Sequence, residues 1–423
     1  MRSFAALSVA SLALAFAACS GSAKTSGFGD QDGGGGDNGG GDDNGGGNDA
    51  SYGSDIGTIG SHSEGGATCS PNPLNYDVPG NNCDDDDDGM VDNVTVCDQG
   101  LAASGDAVSF AKALGLCQMA DATHWGIVSA SYADGFGTTD GQPPNSAQHG
   151  ILPSFGSVIV PREGSSLGAL STGSAATTDS DQGPAGSGEV DGQFKGFKNG
   201  MQSSIDNEGN AGQNWAPPGY PVATAGCPTL ADTTYDAVNV ILQIKVPANA
   251  QGFGVDFDFW SGEWPEYVCT DYNDAFVAYL TSQGFTGNIS KDSNNNPISV
   301  NAGFFDRCTP GTGLGCDPET GRPGPVTGTS VCGGGPSELA GTGFSDPMKD
   351  FCSGGAGDPG VSSTSGGATG WLTSTQTLAP GETITIQFII WDTGDWQWDS
   401  SVLLDNWKWA PAPVMAGTTR PPP

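Results

Sequence analysis

The chain has little positive charge. Of its 423 residues only 13 are Lys or Arg, against 48 Asp or Glu, a formal net charge of −35. Binding phosphates requires a basic patch, so nucleic acid is not an expected partner. An anionic lipid surface would repel the chain for the same reason. Histidine is scarcer still: His62, His124 and His149 stand isolated, His62 near the N-terminal Gly/Asp-rich stretch, and His124 and His149 are read as structural rather than catalytic. No Cys-x-x-Cys pair and no Cys/His cluster of zinc spacing occurs, which argues against a zinc site. The serine-hydrolase elbow, the HExxH helix and the phosphate-binding loop are all missing, so no known enzyme motif presents itself. Beyond the first 18 residues no apolar run reaches the ~18 that a membrane-spanning helix needs. Helical periodicity is also rare. One segment, "SGDAVSFAKAL" from Ser104 to Leu114, is expected to be helical: Ser104 can cap it, Val108, Ala111 and Leu114 share a face, and Gly115 can end it.

The start of the chain has a pattern of its own. Arg2 precedes an apolar stretch from Phe4 to Phe16, and small residues follow, as in a secretory signal over residues 1–18. The stretch "LAFAAC" resembles a bacterial lipobox, with Phe16 where Leu is usual. That resemblance implies that Cys19 is lipidated and becomes the first residue, and Ser20 behind it implies an outer-membrane address. Buried lipid methylenes anchor at about 0.8 kcal/mol each. Residues 19–67, including "GDQDGGGGDNGGGDDNGGGND", hold almost nothing apolar and are expected to form a disordered tether with a reach of roughly 35–40 Å. The expected localisation is therefore export, lipid anchoring at the outer membrane and display at the cell surface.

Of 11 cysteines, ten remain once Cys19 is set aside. An even number in an exported chain favours disulfides. The local pairs expected are Cys83–Cys97, Cys308–Cys316 and Cys332–Cys352.

Elsewhere the apolar pattern has period two. Segments 239–246, 254–260, 274–280, 382–390 and 401–409 read as strands, with shorter ones over 125–132, 157–161 and 167–173. In "GVDFDFW" Val255, Phe257 and Phe259 face one way and Asp256 and Asp258 the other. In "ETITIQFII" Ile384, Ile386, Phe388 and Ile390 alternate with Thr383, Thr385 and Gln387. Many short strands with Gly- and Pro-rich turns predict a mainly β chain: an antiparallel, jelly-roll-like β-sandwich with one short N-terminal helix. The expected layout is an Asp-rich segment over 68–100, the sandwich over 101–410 with a disulfide-rich insertion at 306–370, and a Pro-rich tail over 411–423.

Two stretches carry a family resemblance. "FDFWSGEWPEYVCTDYNDAFVAYL" is a strand, then Ser261, Glu263 and a Trp264-Pro265-Glu266-Tyr267 turn, then Asn273-Asp274 and a second strand. "GWLTSTQTLAPGETITIQFIIWDTGDWQWDSSVLLDNWKW" (370–409) contains Pro380-Gly381-Glu382, Gly394-Asp395, Asp399-Ser400 and Leu404-Asp405-Asn406. Together with residues 148–175 these resemble the choice-of-anchor L domain family over most of residues 100–410. Gly262 stands where that family usually has a second acid, and Cys269 sits in the turn. The resemblance implies a secreted or cell-surface domain and specifies no activity.

Three sets of residues could act. In "CDDDDDGMVDNVTVC" Asp84, Asp86 and Asp88 precede Gly89 in the D-x-D-x-D-G start of a calcium loop, with Asp92 and the Met90 carbonyl as later ligands. Thr95 replaces the Glu that would complete an EF-hand. A second acidic site could form from Glu263, Glu266, Asp274, Asp395, Asp399 and Asp405 if the two family motifs meet; clustered carboxylates repel, and calcium would relieve that. The competing reading is that these acids cap turn N–H groups. Trp396 and Trp398 could stack on sugars. The expected role is non-enzymatic: adhesion, matrix attachment or envelope structure with calcium-stabilised loops, the membrane being reached through the lipid and a polysaccharide or matrix protein being the partner. A carbohydrate-binding module is the alternative, and a hydrolase using Glu263 and Glu266 comes third.

Overall fold

The computed structural model describes residues 69–137, 144–175, 214–265, 267–301, 303–311, 313–317, 322–323, 329–342, 344, 347–349, 362–364, 366–394 and 399–421. The expected signal segment, Cys19 and the expected tether lie outside these residues, as do Glu266, Cys352, Asp395, Trp396 and Trp398. Among the described residues no helix is long and apolar enough to cross a membrane.

In chain order the elements begin with helix α1 (Ala107–Ala113), then β1 (Gly126–Ala133), β2 (His149–Leu152), β3 (Leu167–Ser171), β4 (Thr234–Lys245) and β5 (Gly252–Ser261). Next come β6 (Ala275–Thr281), β7 (Thr286–Asn288), β8 (Ile298–Ser299), β9 (Cys316–Asp317), β10 (Arg322–Pro323), β11 (Pro347–Lys349) and β12 (Ser362–Thr364). The last are β13 (Gly367–Ala368), β14 (Leu372–Thr377), β15 (Thr383–Thr393), β16 (Ser400–Ala410) and β17 (Gly417–Thr419). One antiparallel sheet runs β1-β4-β15-β6-β7, with β8 beside β6. The other runs β17-β14-β5-β16-β3-β2, with β13 beside β5. The mainly β, sandwich-like architecture with one short helix is the expected one.

The core lies between the sheets. The inward row of β5 supplies Phe253, Val255, Phe257 and Phe259, and that of β15 supplies Ile384, Ile386, Phe388 and Ile390. The outer faces are covered as well, which period-two alternation did not suggest. Trp260 packs with Phe155 and Phe344 behind one sheet, and Trp391 with Trp215 and Ile389 behind the other. Asp256 and Asp258, expected outside, are therefore buried. Asp256 meets Arg162 Nε at 2.7 Å. Burial pushes the Asp258 carboxyl well above the usual range, and the Thr369 hydroxyl donates to it at 3.2 Å.

Four local expectations need correction. Asp106, not Ser104, caps α1, accepting from Ser109 N at 2.8 Å; Asp and Ser are equally good caps, so the later one ends up adjoining the helical residues. Residues 157–161 form no strand: Phe155 and Ile159 make only an isolated bridge around a turn at Gly156, whose φ is 59°. The 411–423 tail joins the sheet, with β17 pairing to β14. The disulfides are Cys69–Cys83, Cys97–Cys117, Cys227–Cys269 and Cys308–Cys332, in place of the Cys83–Cys97, Cys308–Cys316 and Cys332–Cys352 pairs. The Asp-rich loop folds back so that Cys83 meets upstream chain, and Cys97 reaches the residue two past Gly115.

Helix α1 closes one side of the core. Phe110 lies so near β3 that a Cβ on Gly168 would sit 2.5 Å from its ring, so only glycine fits there. His149 on β2 stacks on Tyr132 at 3.6 Å, and burial pushes its pKa down to about 4. Its folded pKa lies below the unfolded value, so its contribution is complete above about pH 6.5 and is lost as pH falls through 4. His149→Phe keeps the ring stack and does not titrate. Over that window wild type is expected to lose about 3 kcal/mol relative to the variant in urea titrations. Parallel pH profiles would contradict the assignment.

Candidate functional site

The Asp-rich loop is organised by an acid outside the D-x-D-x-D pattern. Asp77 is 7% exposed. Its Oδ1 accepts from Asp85 N at 2.7 Å and Asp86 N at 3.3 Å, and its Oδ2 from Asn93 N at 3.0 Å. Asp84 accepts from Asp88 N and Gly89 N at 3.1 and 3.0 Å. Gly89, with φ 88°, supplies the left-handed residue that lets the loop turn. One oxygen each from Asp77, Asp84 and Asp86 lie within 4.8 Å of one another, the only such threesome among the described residues. Burial first, then Asp77 and Asp88, push the Asp86 carboxyl upward. Asn93 Oδ1 is buried beside them with no hydrogen-bond partner.

Two of the other expected ligands, Asp88 and Asp92, are occupied otherwise. Asp88 accepts from Met90 N and Asn93 Nδ2, both at 2.8 Å. Asp92 accepts from Asn81 N at 3.1 Å and Asn82 N at 3.0 Å. The Met90 side chain is exposed. Asp88 and Asp92 thus shape the loop while Asp77, Asp84 and Asp86 converge. Hard carboxylate oxygens whose second lone pairs are held by N–H groups are what a calcium loop requires. Asp77 precedes the motif by seven residues, and only the fold-back of the chain brings it in.

Beside the loop is a cavity of about 350 Å³ whose walls include Asp77, Asp86, Trp125, Glu163, Trp407 and Trp409. Trp125 donates Nε1 to Asn75 O at 2.5 Å and meets Trp409 edge-on at 5.9 Å. Trp407 is backed by Phe253 at 4.3 Å. Burial and the Asp98 charge raise the Glu163 pKa, opposed by Lys408.

The acidic turn and the 370–409 motif meet. Ser261 on β5 is in register with Ser400 on β16, and Gly262 N donates to Asp399 O at 3.0 Å. Asp274 accepts from Thr393 N at 3.2 Å and from the Ser400 hydroxyl at 2.7 Å. Glu263 turns inward, 1% exposed, and accepts from Asp274 N at 3.1 Å. Trp264 packs on Phe305 at 4.8 Å, and Cys269 ties the turn to Cys227. Asp405 is elsewhere: it lies opposite Asp256, accepts from Arg162 N and Asn406 N, and is pushed up to about 7 chiefly by burial. The six-residue acidic set therefore divides: Glu263, Asp274 and Asp399 stand together, Asp405 apart, and Glu266 and Asp395 outside the described residues. Two buried acids the sequence did not single out, Asp236 and Asp392, join the first group.

No family model matches the chain, and neither a curated protein nor a solved structure matches it.

Proposed function

We propose that this chain is an exported surface protein of the choice-of-anchor L type, lipidated at Cys19 and anchored in the outer membrane. Its sandwich stands off the membrane on the 19–67 tether and serves adhesion, matrix attachment or envelope structure rather than catalysis. Calcium at Asp77, Asp84 and Asp86 stabilises the Asp-rich loop. The carrying observation is the convergence of those three carboxylates with the unpartnered Asn93 Oδ1. Two disulfides, Cys69–Cys83 and Cys97–Cys117, brace the segment, and such bonds persist in oxidising compartments. Extracellular calcium modules of this modest charge work at about 10⁻⁴–10⁻³ M.

Asp84→Asn with Asp86→Asn is expected to bind one Ca²⁺ fewer per chain in equilibrium dialysis. It should also lose about 1.4 kcal/mol of Ca²⁺-dependent stability at ten times Kd. An unchanged ion count sinks the loop site. Protease added to intact cells tests display: a chain that survives intact is not on the surface.

A carbohydrate-binding role is supported by a separate observation, the Trp-lined cavity. Indole faces can hold sugar C–H groups while Asp77, Asp86 and Glu163 accept from hydroxyls. Glycan-array binding that disappears in Trp125→Ala would favour this reading, and an array without hits would remove it. The hydrolase reading gains nothing from Glu263, whose carboxylate is engaged with Asp274 N.

A further inference from the structure

At one end of the sandwich the interior rows change from apolar to acidic together. On β15 the inward row Ile386, Phe388, Ile390 continues to Asp392. On β6 the row Leu280, Ala278, Phe276 continues to Asp274. On β4, Val238 is followed by Asp236, at a register shift where its φ is 47°. These three strands are neighbours in one sheet, with Asp392 opposite Tyr235 and Trp391 opposite Ala275. Asp399 enters from the facing sheet, next to the Ser400 that bonds Asp274. All four acids are at most 1% exposed.

Such a group resists burial. The charges acting on Asp392 are those of Asp274, Asp236 and Asp399, all of one sign. Asp392 is fully buried, and neither of its oxygens has a partner in full hydrogen-bond geometry. The Thr172 hydroxyl acts on Asp392 as a hydrogen-bond donor and is shared with Ser400, accepting from N at 2.9 Å and donating to O at 3.4 Å. A second, uncharged oxygen points to the same need. Gln148 is fully buried and donates Nε2 to Asp236 O at 2.7 Å and to Thr172 O at 3.4 Å, while its Oε1 has no partner. Buried polar oxygens are rarely left unpaired, and a carboxylate even less so.

We propose that Asp236, Asp274, Asp392 and Asp399, with Gln148 Oε1, bind a Ca²⁺ ion that joins the two sheets at this end of the core. The ligands are all oxygen, without His or Cys, which suits a hard cation and not zinc. Calcium takes six to eight oxygens in irregular geometry, whereas Mg²⁺ keeps several waters that a dry interior cannot supply. One Ca²⁺ offsets two carboxylate charges, and the Asp274 carboxylate is also held by N–H and O–H donors. No three of these carboxylates have oxygens within 4.8 Å of one another, so binding draws the side chains toward a common centre by rotation. The proposal is independent of the loop at residues 77–93.

The test uses the exported, mature chain after chelation, titrated with Ca²⁺ and separately with Tb³⁺. The loop variant, Asp84→Asn with Asp86→Asn, should still bind one Ca²⁺ per chain. It should also show Tb³⁺ emission on tryptophan excitation, since Trp391 adjoins Asp392 in sequence. Adding Asp392→Asn should abolish both the ion and the emission, and the melting temperature should then no longer respond to chelator. A loop variant that binds no ion overturns the proposal, whether or not the Asp392 variant folds. An Asp392 variant that keeps the full ion count overturns it as well. Loss of an ion from the loop variant alone bears on the loop and leaves the interior ion in place.

Discussion

Phe257→Ala is expected to destabilise the sandwich by about 3–5 kcal/mol. Phe257 is 1% exposed at the middle of β5, where Leu372 of β14 and Leu404 of β16 flank it in register. Across the core its ring lies 5.1 Å from that of Phe276. The alanine leaves a cavity walled by two sheets, and neither can move inward without breaking its own ladder. Both lost transfer free energy and lost dispersion contacts therefore count in full. Phe257→Leu keeps most of the volume and should be distinctly milder. Urea denaturation followed by tryptophan fluorescence measures both. A loss below about 1 kcal/mol for the alanine would mean that the sheets collapse freely onto the gap, contrary to close packing.

The second large effect is loss of Cys227–Cys269. This bridge spans 42 residues and fastens the acidic turn to the chain that enters β4. The loop-entropy relation gives about 4 kcal/mol for a closure of that length. Cys97–Cys117 spans 20 residues, and its removal should cost on the order of 0.6 kcal/mol less. Paired Cys→Ser variants, compared by melting temperature and urea midpoint, check both values. If removal of Cys227–Cys269 had no more effect than removal of the shorter bridge, chain entropy would not be what this bond contributes.

The strands of the core were legible because each keeps one apolar face over several pleats. Val255, Phe257 and Phe259 need a buried surface, and no helical period accommodates them. The covering of the outer faces was harder to read. In "QFIIWD" both rows are apolar, since Ile389 and Trp391 stand among Phe388 and Ile390, and that doubled pattern was its trace. The disulfides were misread because sequence distance was taken as spatial distance. Cys83 has Cys97 fourteen residues ahead and Cys69 fourteen behind, and nothing local chooses between them. Asp77 and Asp236 were missed for a related reason, since their carboxyls reach their neighbours only through a loop reversal and a register shift. Asp392 left a clearer sign: it continues the inward row of β15 where another aliphatic residue would be expected. Whether the two family motifs meet was left open by the sequence; they do so at Asp274 and Ser400, while Asp405 goes with Asp256 on the opposite pleat of β16.

The β17 strand has a consequence for how copies of the molecule meet. Its pairing covers Thr373, Ser374 and Thr375 of β14, and the Thr375 and Thr377 hydroxyls bind Met415 O at 2.6 Å and Val414 O at 2.9 Å. Arg420 then pins the strand through Thr369 O and Phe304 O at 2.6 and 2.8 Å. Without this segment, β14 would offer a bare row of backbone donors and acceptors as a template for a foreign strand. Three short residues of Gly and Thr thus act as a selvedge, keeping neighbouring sheets from being woven together.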